Sequence, residues 1–359
     1  MSEIANLKNS IDIFCNVLDN FGDAGVCLRL ARDLSHKEFK VNLYCDHLET
    51  LNKIALPRDR INKFLTINQW DKDLINYNPS YFVIQAFSCR INKNALNKIK
   101  EKQSKVINLE YLSAEKWVED CHEKMSFGDG LVSYFFFPGF TKKTGGVIIE
   151  NEFLDKVLKK QSKSDNEKRK VTLFSYPNKH VKEILSLLNQ SNKKSEITVF
   201  EGLALDNINN LYNLDLKVGD TFKLNDKLTL HISAMVSQEQ YDDLLLNSDF
   251  NLVRGEDSIV RAMLSGKPFL WQIYIQEDNA HIIKLKSFFD RLEEICSDKN
   301  IVNQLKDLML FYNDAIAIPY IKSFDEFETK VQIICKEWSH HLLSLNSLSD
   351  NLIEFLKRI

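Results

Sequence analysis

The spacing of hydrophobic and polar residues predicts a chain that alternates short buried strands with amphipathic helices. Residues 11–17 form an apolar run of strand length, and residues 26–34 then repeat apolar side chains at the helical period. A second strand follows at residues 40–45. This order opens an α/β domain with a doubly wound parallel sheet. The polar, glycine-containing loop at residues 18–25 would then lie at the carboxyl ends of the strands, where such sheets bind ligands.

The same alternation continues to the end of the chain and predicts a second doubly wound domain. Further strands are predicted at residues 81–87, 105–110, 171–177, 196–200, 228–232 and 248–253. Further helices are predicted at residues 238–247, 305–311, 327–345 and 349–359. An aromatic run at residues 134–140 is far too short to anchor the chain in a membrane, and we interpret it as a buried strand or loop. Two doubly wound halves predict a ligand cleft between them.

Residues 252–271 predict an abrupt passage from strand to helix and back to strand. A strand that begins near Phe250 ends at Val253, and a polar turn occupies residues 254–258. Apolar side chains then recur at helical spacing up to Gly266, where a glycine with a proline beyond it predicts the end of the helix. The next strand starts at Phe269, so this helix connects two strands.

The start of this helix is a candidate anion site. Asp257 and Ser258 occupy the position where a helix N-cap is wanted, and the backbone N–H groups of a first helical turn are unpaired donors. A helix N-terminus after a strand binds anions readily, and Arg254 would add a bidentate donor beside it. An alternative fits this stretch equally well: Asp257 or Ser258 only caps the helix, and Glu256 is a solvated turn residue.

Length and composition indicate two ordinary domains. The chain has 359 residues, of which 44% are hydrophobic and 27% are charged, as in globular proteins with substantial cores. A basic, polar stretch at residues 156–170 is interpreted as a solvated linker. It separates a predicted N-terminal domain at residues 1–155 from a C-terminal domain at residues 170–335, which a helical segment at residues 336–359 follows.

Charge and cysteine content narrow the class of protein. The formal net charge of −3 gives no general affinity for nucleic acid or membranes. No apolar run reaches the length of a membrane span, and the N-terminus lacks the basic start and long apolar core of a signal peptide. The seven cysteines show no metal-ligand spacing. Reduced cysteines and a cytoplasmic location are therefore predicted.

Three acidic residues are candidates for catalysis. Asp19 and Asp23 flank the first loop, where Gly22 leaves room for a close ligand, and a carboxylate there would serve as a general base. Glu256 comes from the other half of the chain, beside Arg254 and a helix N-terminus, a combination that suits attack on a phosphate-activated electrophile. The alternative is that Asp19 only ends the strand and Asp23 only caps the helix.

Two common nucleotide-binding patterns are absent from the sequence. It contains no GxGxxG followed by an acidic residue at dinucleotide spacing and no GxxxxGK[ST], so ordinary NAD binding and P-loop chemistry are poor fits. The one DxD pattern, at residues 71–73, is interpreted as a solvated surface pair.

Several blocks taken together resemble the elongation factor P arginine rhamnosyltransferases. The blocks that carry the resemblance are residues 12–15, 19–26 and 28–32 at the N-terminus, residues 110–115, 137–140 and 145–146 in the centre, and residues 254–258, 260–262, 266–269, 271–274 and 276 towards the C-terminus. They span nearly the whole chain in the family's order. The sequences DNFGD and RGEDS are highly specific in combination.

The resemblance implies an α/β protein of the GT-B glycosyltransferase fold, with two Rossmann-like domains facing across a cleft. The helical segment at residues 336–359 would pack back on the N-terminal domain. The resemblance also implies an inverting enzyme that moves rhamnose from dTDP-β-L-rhamnose to an arginine of elongation factor P. This modification would activate the factor to relieve ribosome stalling at polyproline. Neither a metal nor another cofactor is implied.

The family's site residues map onto both halves of this sequence. By resemblance, Asp23 would be the general base, Asp19 its essential neighbour and Glu256 the third essential acid. Asp257 and Ser258 would meet the diphosphate, in agreement with the helix-terminus argument. The full set of expected substrate-binding residues is Asn20, Phe21, Gly22, Tyr176, Gln238, Arg254, Gly255, Asp257 and Ser258.

Two other classes of protein remain compatible with the sequence. One is a GT-B enzyme that acts on another acceptor or nucleotide sugar, such as a lipid or small-molecule glycosyltransferase or a sugar epimerase. The other is a non-catalytic module that docks on a translation factor and holds a nucleotide. The joint presence of Asp19, Asp23 and Glu256 argues against the non-catalytic module.

Overall fold

The computed structural model describes residues 9–17, 21–70, 74–128, 130–159 and 167–359. The chain forms two compact units, one of Met1–Asn151 with Leu345–Ile359 and one of Glu152–Ser344. Two predicted site residues, Asp19 and Asn20, and the DxD pattern at residues 71–73 lie outside the described residues.

The first unit is built on a seven-stranded sheet. Its strands are β1 (Ser10–Cys15), β2 (Lys40–Cys45), β3 (Leu65–Gln69), β4 (Phe82–Ala86), β5 (Lys105–Leu109), β6 (Met125–Gly128) and β7 (Leu131–Phe136), in the order β3-β2-β1-β4-β5-β7-β6. Of the strands that the described residues form in this sheet, only β6 is antiparallel to its neighbour. The helices are α1 (Phe21–His36), α2 (Leu48–Ile54), α3 (Pro57–Ile61), α4 (Lys93–Glu101), α5 (Val118–Cys121) and, from the C-terminus, α14 (Leu348–Leu356).

The second unit has a six-stranded sheet. Its strands are β8 (Lys168–Leu173), β9 (Lys194–Phe200), β10 (Thr221–Lys223), β11 (Leu228–Ser233), β12 (Phe250–Arg254) and β13 (Phe269–Gln272), in the order β10-β11-β9-β8-β12-β13. The helices are α6 (Asn151–Lys159), α7 (Val181–Gln190), α8 (Leu203–Tyr212), α9 (Gln238–Asn247), α10 (Gly255–Ser265), α11 (Ala280–Ile295), α12 (Lys299–Tyr312) and α13 (Phe324–Leu343). Among the described strands of this sheet, only β10 is antiparallel to its neighbour, so the predicted α/β class with doubly wound sheets is confirmed.

The aromatic run after residue 133 is structural, as predicted. Tyr134, Phe135 and Phe136 belong to β7, and Phe136 and Phe137 are buried. Across the described ranges, no helix has both the length and the apolar character needed to cross a bilayer.

The C-terminal helix α14 completes the core of the first unit. Leu352, Phe355 and Leu356 are buried in one cluster with side chains of β1 and α1, and their i, i+3, i+4 spacing places them on one face of the helix. Ser349 also donates a hydrogen bond to the buried carboxylate of Asp33 on α1. These contacts hold α14 against α1, the helix that carries Asp23.

We expect Leu352→Ala to lower the free energy of unfolding by about 2–5 kcal/mol, because it removes a fully buried leucine side chain and leaves a cavity. Urea unfolding followed by circular dichroism measures this loss. Glu354→Ala, on the exposed side of the same helix, is the matched control and should change the same quantity by no more than about 0.5 kcal/mol. Equal effects of the two substitutions would show that α14 does not stabilise the core.

Both described ends of the stretch predicted as a solvated linker are folded, and its residues 160–166 lie outside the described residues. Residues 156–159 end α6, and residues 168–170 begin β8. Arg169 is completely buried, and its guanidinium pairs with Glu328 at 2.6 Å and with Asp325 at 3.0 Å. The prediction of a solvated basic cluster is therefore wrong for Arg169. Its two partners lie on α13, far along the chain, and no local pattern reveals them.

The second predicted domain boundary, between residues 335 and 336, also differs from the one in the structure. Helix α13 runs without a break to Leu343 and belongs entirely to the second unit. Its C-terminal half is held there because Trp338 is buried and Ser339 donates a 2.8 Å hydrogen bond to the carbonyl of Leu264 on α10. Only the residues from Leu345 onward return to the first unit.

Candidate functional site

Asp23 lies in the first turn of α1, at the carboxyl end of β1. The helix begins at Phe21 and not at residue 26, so the prediction of a loop through Gly22 and Gly25 is wrong. Glycines lower helix propensity, which is why the pattern placed the start too late. The side chain of Asp23 is only 3% exposed, and the N-terminal end of a helix dipole favours a carboxylate there.

The residues that leave β1 are fastened to the end of β2. The carboxylate of Asp46 accepts a 2.9 Å hydrogen bond from the backbone N–H of Val17 and a second one from the side-chain amide of Asn16. The side chain of Gln69 donates to the Asp46 carbonyl at 2.9 Å. Sequence reasoning missed Asp46, although an acid directly after the second strand is a visible signal. Asp46 therefore fixes the position of Asn16 and Val17, which follow β1 and precede α1 in the chain.

Two arginines of the N-terminal signature are structural. Arg29 pairs with Glu150 at 2.8 Å, and Arg32 pairs with the same carboxylate at 2.9 Å and with Asp59 at 2.7 Å. All four side chains are nearly inaccessible to solvent. These ion pairs hold α1, and with it Asp23, in one orientation.

In the second unit, β12 passes into α10 without a turn. Arg254 ends the strand and is also the N-cap residue, and the helix begins at Gly255. The predicted turn with Asp257 or Ser258 as N-cap is therefore wrong, and both residues lie in the helix together with Glu256. Acidic and small polar residues are common in turns and in first helical turns alike, so the pattern does not distinguish the two.

Gly255 makes this direct passage possible. Its φ is +66°, in the left-handed region where a side chain is strained and glycine is not. The indole N–H of Trp271 on the neighbouring strand β13 donates to the Gly255 carbonyl at 3.0 Å. The first-turn N–H groups of α10 therefore start directly at the carboxyl end of the sheet, which is the position of an anion site in doubly wound folds.

Arg254 is held beside this helix N-terminus by the loop after β8. Its guanidinium lies 4.3 Å from the ring centre of Phe174 and 4.7 Å from that of Tyr176, and it donates a 3.2 Å hydrogen bond to the Ser175 carbonyl. Tyr176 in turn meets the exposed ring of Tyr274 edge-on, with 5.8 Å between ring centres. The guanidinium is thus oriented by two aromatic faces before any ligand arrives.

A polar link joins the starts of α9 and α10. The buried side chain of Gln238 donates to the carboxylate of Asp257 at 3.3 Å. Close by, burial raises the pKa of the Tyr241 hydroxyl well above its usual value, although Ser258 and Arg254 act in the opposite direction. Tyr241 therefore stays neutral and protonated near Ser258.

The structure groups the predicted site residues into two sets. Phe21, Gly22 and Asp23 form the first turn of α1 in the first unit. The second set surrounds the start of α10 in the second unit and comprises Tyr176, Gln238, Arg254, Gly255, Glu256, Asp257 and Ser258. Each set stands at the carboxyl end of a mainly parallel sheet, where doubly wound folds place their ligands.

Two doubly wound units of this kind, with a helix N-terminus suited to phosphate in the second, are the architecture of the GT-B glycosyltransferases. The chain is similar over 97% of its length to a structure solved in work on EarP-mediated arginine glycosylation of translation elongation factor EF-P, with a TM-score of 0.64, 24% identity and 99% of that chain covered. It is also similar in fold to the spinosyn rhamnosyltransferase SpnG complexed with spinosyn aglycone, with a TM-score of 0.53, 9% identity, and 97% and 99% of the two chains covered.

Sequence comparison resolves the family within this class. Residues 11–357 match the family described as Elongation-Factor P (EF-P) rhamnosyltransferase EarP. A protein-arginine rhamnosyltransferase of Pseudomonas putida is 34% identical over 79% of this chain and 81% of its own length. The chain therefore belongs to the EF-P rhamnosyltransferase family, and the resemblance seen in its sequence blocks is confirmed.

Proposed function

We propose that this enzyme transfers L-rhamnose from dTDP-β-L-rhamnose to an arginine side chain of EF-P, with inversion at the anomeric carbon. Family membership and the P. putida relative support rhamnosyl transfer to arginine. The observation that carries the donor assignment is the start of α10, where a strand end, a helix N-terminus and the oriented guanidinium of Arg254 converge.

The second unit is proposed to bind the donor. A diphosphate would accept hydrogen bonds from the first-turn N–H groups of α10 and the Ser258 hydroxyl, and Arg254 would supply the positive charge. These groups need little reorganisation because the helix and the aromatic faces already hold them. They would stabilise the charge that develops on the diphosphate as the bond from the anomeric carbon to its oxygen breaks.

Asp23 is proposed to receive the acceptor arginine. A guanidinium has a pKa above about 12, so a carboxylate cannot deprotonate it beforehand. A carboxylate can orient the group and accept one proton while the guanidinium nitrogen forms its bond to the anomeric carbon. The electron pair of the broken carbon–oxygen bond then leaves with the diphosphate. Asp19 is proposed as the neighbour of this base and Glu256 as a third essential acid, both from the family resemblance.

We expect the double variant Asp257→Ala with Ser258→Ala to bind dTDP about tenfold or more weakly. It removes the Ser258 hydroxyl and the link from Gln238 to Asp257, and one charge-assisted contact is worth about 1.5–3 kcal/mol. Isothermal titration calorimetry measures the affinity. Ser265→Ala, at the other end of the same helix, is the matched control. Unchanged dTDP affinity in the double variant would contradict a donor site at the start of α10.

The stereochemistry of the product tests the inverting mechanism. NMR spectroscopy of EF-P treated with enzyme and dTDP-β-L-rhamnose should show an α-linked rhamnose on the modified arginine. A β-linked product would overturn direct attack by the guanidinium, because retention requires a second displacement or attack from the same face. A donor consumed only in the presence of another acceptor would favour a glycosyltransferase with a different substrate.

A further inference from the structure

Three buried thiols form a cluster where β1, β2 and α1 meet. Cys15 ends β1 and is the register partner of Cys45, which ends β2. Cys27 lies on α1 one helical turn after Asp23, so the two side chains share a face of the helix. Cys15, Cys27 and Cys45 belong to one buried cluster, in which the Cys15 thiol interacts with both other thiols, and all three are free and inaccessible to solvent.

The charge of Asp23 acts on two of these sulfurs. The hydrogen bond to Cys27, burial and the Asp23 carboxylate all raise the pKa of Cys15, and the bond to Cys45 does not offset them. For Cys27, the bond to Cys15 lowers the pKa, but burial and the Asp23 charge outweigh it and the net shift is upward. Both thiols therefore stay protonated. A buried, protonated thiol is neither a nucleophile nor a redox sensor, so its contribution lies in what it contacts.

The beginning of α1 needs such contacts. Gly22 and Gly25 stand in its first turns, and each glycine costs a helix roughly 1 kcal/mol relative to alanine. The position of Asp23 between them therefore depends on tertiary contacts more than on the backbone's own preference. Cys27, one turn further on, is buried in the same cluster as Cys15 at the end of β1 and interacts with its thiol. A thiol suits the position because it packs like a small apolar group and makes a weak hydrogen bond without a charge that would attract the carboxylate.

We propose that Cys27 and Cys15 are positioning residues for Asp23, which fix the first turn of α1 against the end of β1 so that the carboxylate meets the acceptor guanidinium in the productive geometry. This inference rests on the proposed role of Asp23 as the general base. A displacement of about 1 Å in a catalytic group can cost on the order of a hundredfold in rate. The loss of one contact that holds Asp23 in place should therefore cause a measurable loss of rate.

The test compares Cys27→Ala with Cys27→Ser in steady-state rhamnosylation of EF-P. We expect Cys27→Ala to lower kcat about tenfold with KM for donor and acceptor unchanged, since the displaced group acts in the transition state. Cys27→Ser replaces the missing atom and the hydrogen bond and should return to within about threefold of the wild-type kcat. Cys335→Ala removes an equally buried thiol from α13 of the second unit and should leave kcat unchanged.

A double-mutant cycle with Asp23→Asn separates positioning from general stabilisation. If Cys27 acts through Asp23, Cys27→Ala should cause no further loss of kcat in the Asp23→Asn enzyme. The inference is overturned if Cys27→Ala keeps kcat within about twofold, if its loss appears in KM, or if the two losses multiply. Should Cys27→Ala melt too low for kinetics, Cys15→Ala enters the same cycle with the same expectation. An Asp23→Asn enzyme that is itself fully active would instead refute the proposed role of Asp23 as the general base.

Discussion

Asp23→Asn is expected to slow rhamnosyl transfer by about two to four orders of magnitude, the usual contribution of a general base. Asparagine keeps the shape of the side chain and suits the start of a helix about as well as aspartate. It removes the negative charge that would orient the guanidinium and the oxygen that would accept its proton. The measurement is single-turnover modification of EF-P read by intact mass, together with a melting curve and dTDP affinity, which should both stay close to wild type.

Asp33→Asn is the matched control for this experiment. Asp33 is a buried carboxylate on the same helix, bonded by Ser349, and burial raises its pKa, so a neutral isostere should be tolerated and turnover should be unchanged. Glu256→Gln is the companion variant and should also fold and lose transfer. A folded Asp23→Asn enzyme within about threefold of the wild-type rate, far short of the general-base range, would end the catalytic role and leave Asp23 as a helix-terminal acid.

Glu150→Gln is expected to lower the free energy of unfolding of the first unit by about 3–5 kcal/mol, the usual cost of breaking a buried ion pair from one side. Glu150 contacts the guanidinium groups of both Arg29 and Arg32, at 2.8 Å and 2.9 Å, in surroundings that exclude water, and Asp59 is a further partner of Arg32. The neutral amide removes one negative charge from this buried network. Urea unfolding, with circular dichroism as the probe, measures the loss.

Glu101→Gln provides the comparison for Glu150→Gln. The substitution is the same and lies in the same unit, but Glu101 is exposed at the end of α4, so its effect should stay within about 0.5 kcal/mol. Equal stability of the two variants would mean that the arginine network contributes nothing.

The parts of the fold that the sequence predicted are those that depend on local spacing. The end of α10 at Gly266, with φ +63°, and the next strand from Phe269 agree with prediction because a glycine and a proline after an apolar helix face leave few alternatives. Helix α9 has the predicted bounds, residues 238–247, since Ser237 and Gln240 form a capping box at its start. The buried face of α14 likewise followed from the i, i+3, i+4 spacing of its apolar residues.

The parts that the sequence did not predict depend on contacts between distant residues or on a choice between two local states. Arg169 stands in a polar, basic stretch of the sequence and was therefore predicted to be solvated. Its partners Glu328 and Asp325 are distant in the sequence and reach it only in the folded chain. The start of α1 was missed because glycines predict a loop, whereas packing against the sheet stabilises a helix at these residues. Asp46 was missed for a related reason, since its role depends on the backbone N–H of Val17, which follows a different strand.

The candidate site was predicted unevenly for the same reasons. The residues around Arg254 could be recognised because a strand followed at once by polar residues and a helix is itself the anion-binding arrangement. Its aromatic supports, Phe174 and Tyr176, come from a different strand end, and only Tyr176 was expected at the site, by resemblance alone. The thiols near Asp23 gave no signal, because scattered cysteines indicate nothing until the strands place them together.

The most direct measurement of the central claim is the intact mass of EF-P after incubation with this enzyme and dTDP-β-L-rhamnose. We predict a gain of one deoxyhexose residue on wild-type EF-P and no gain when the acceptor arginine is replaced by lysine. With the Asp23→Asn enzyme, the same gain should appear about two to four orders of magnitude more slowly. The same mass gain on the lysine variant would contradict transfer to arginine. An unchanged mass of wild-type EF-P, with an enzyme that is folded and binds dTDP, would contradict the assignment of EF-P as the acceptor.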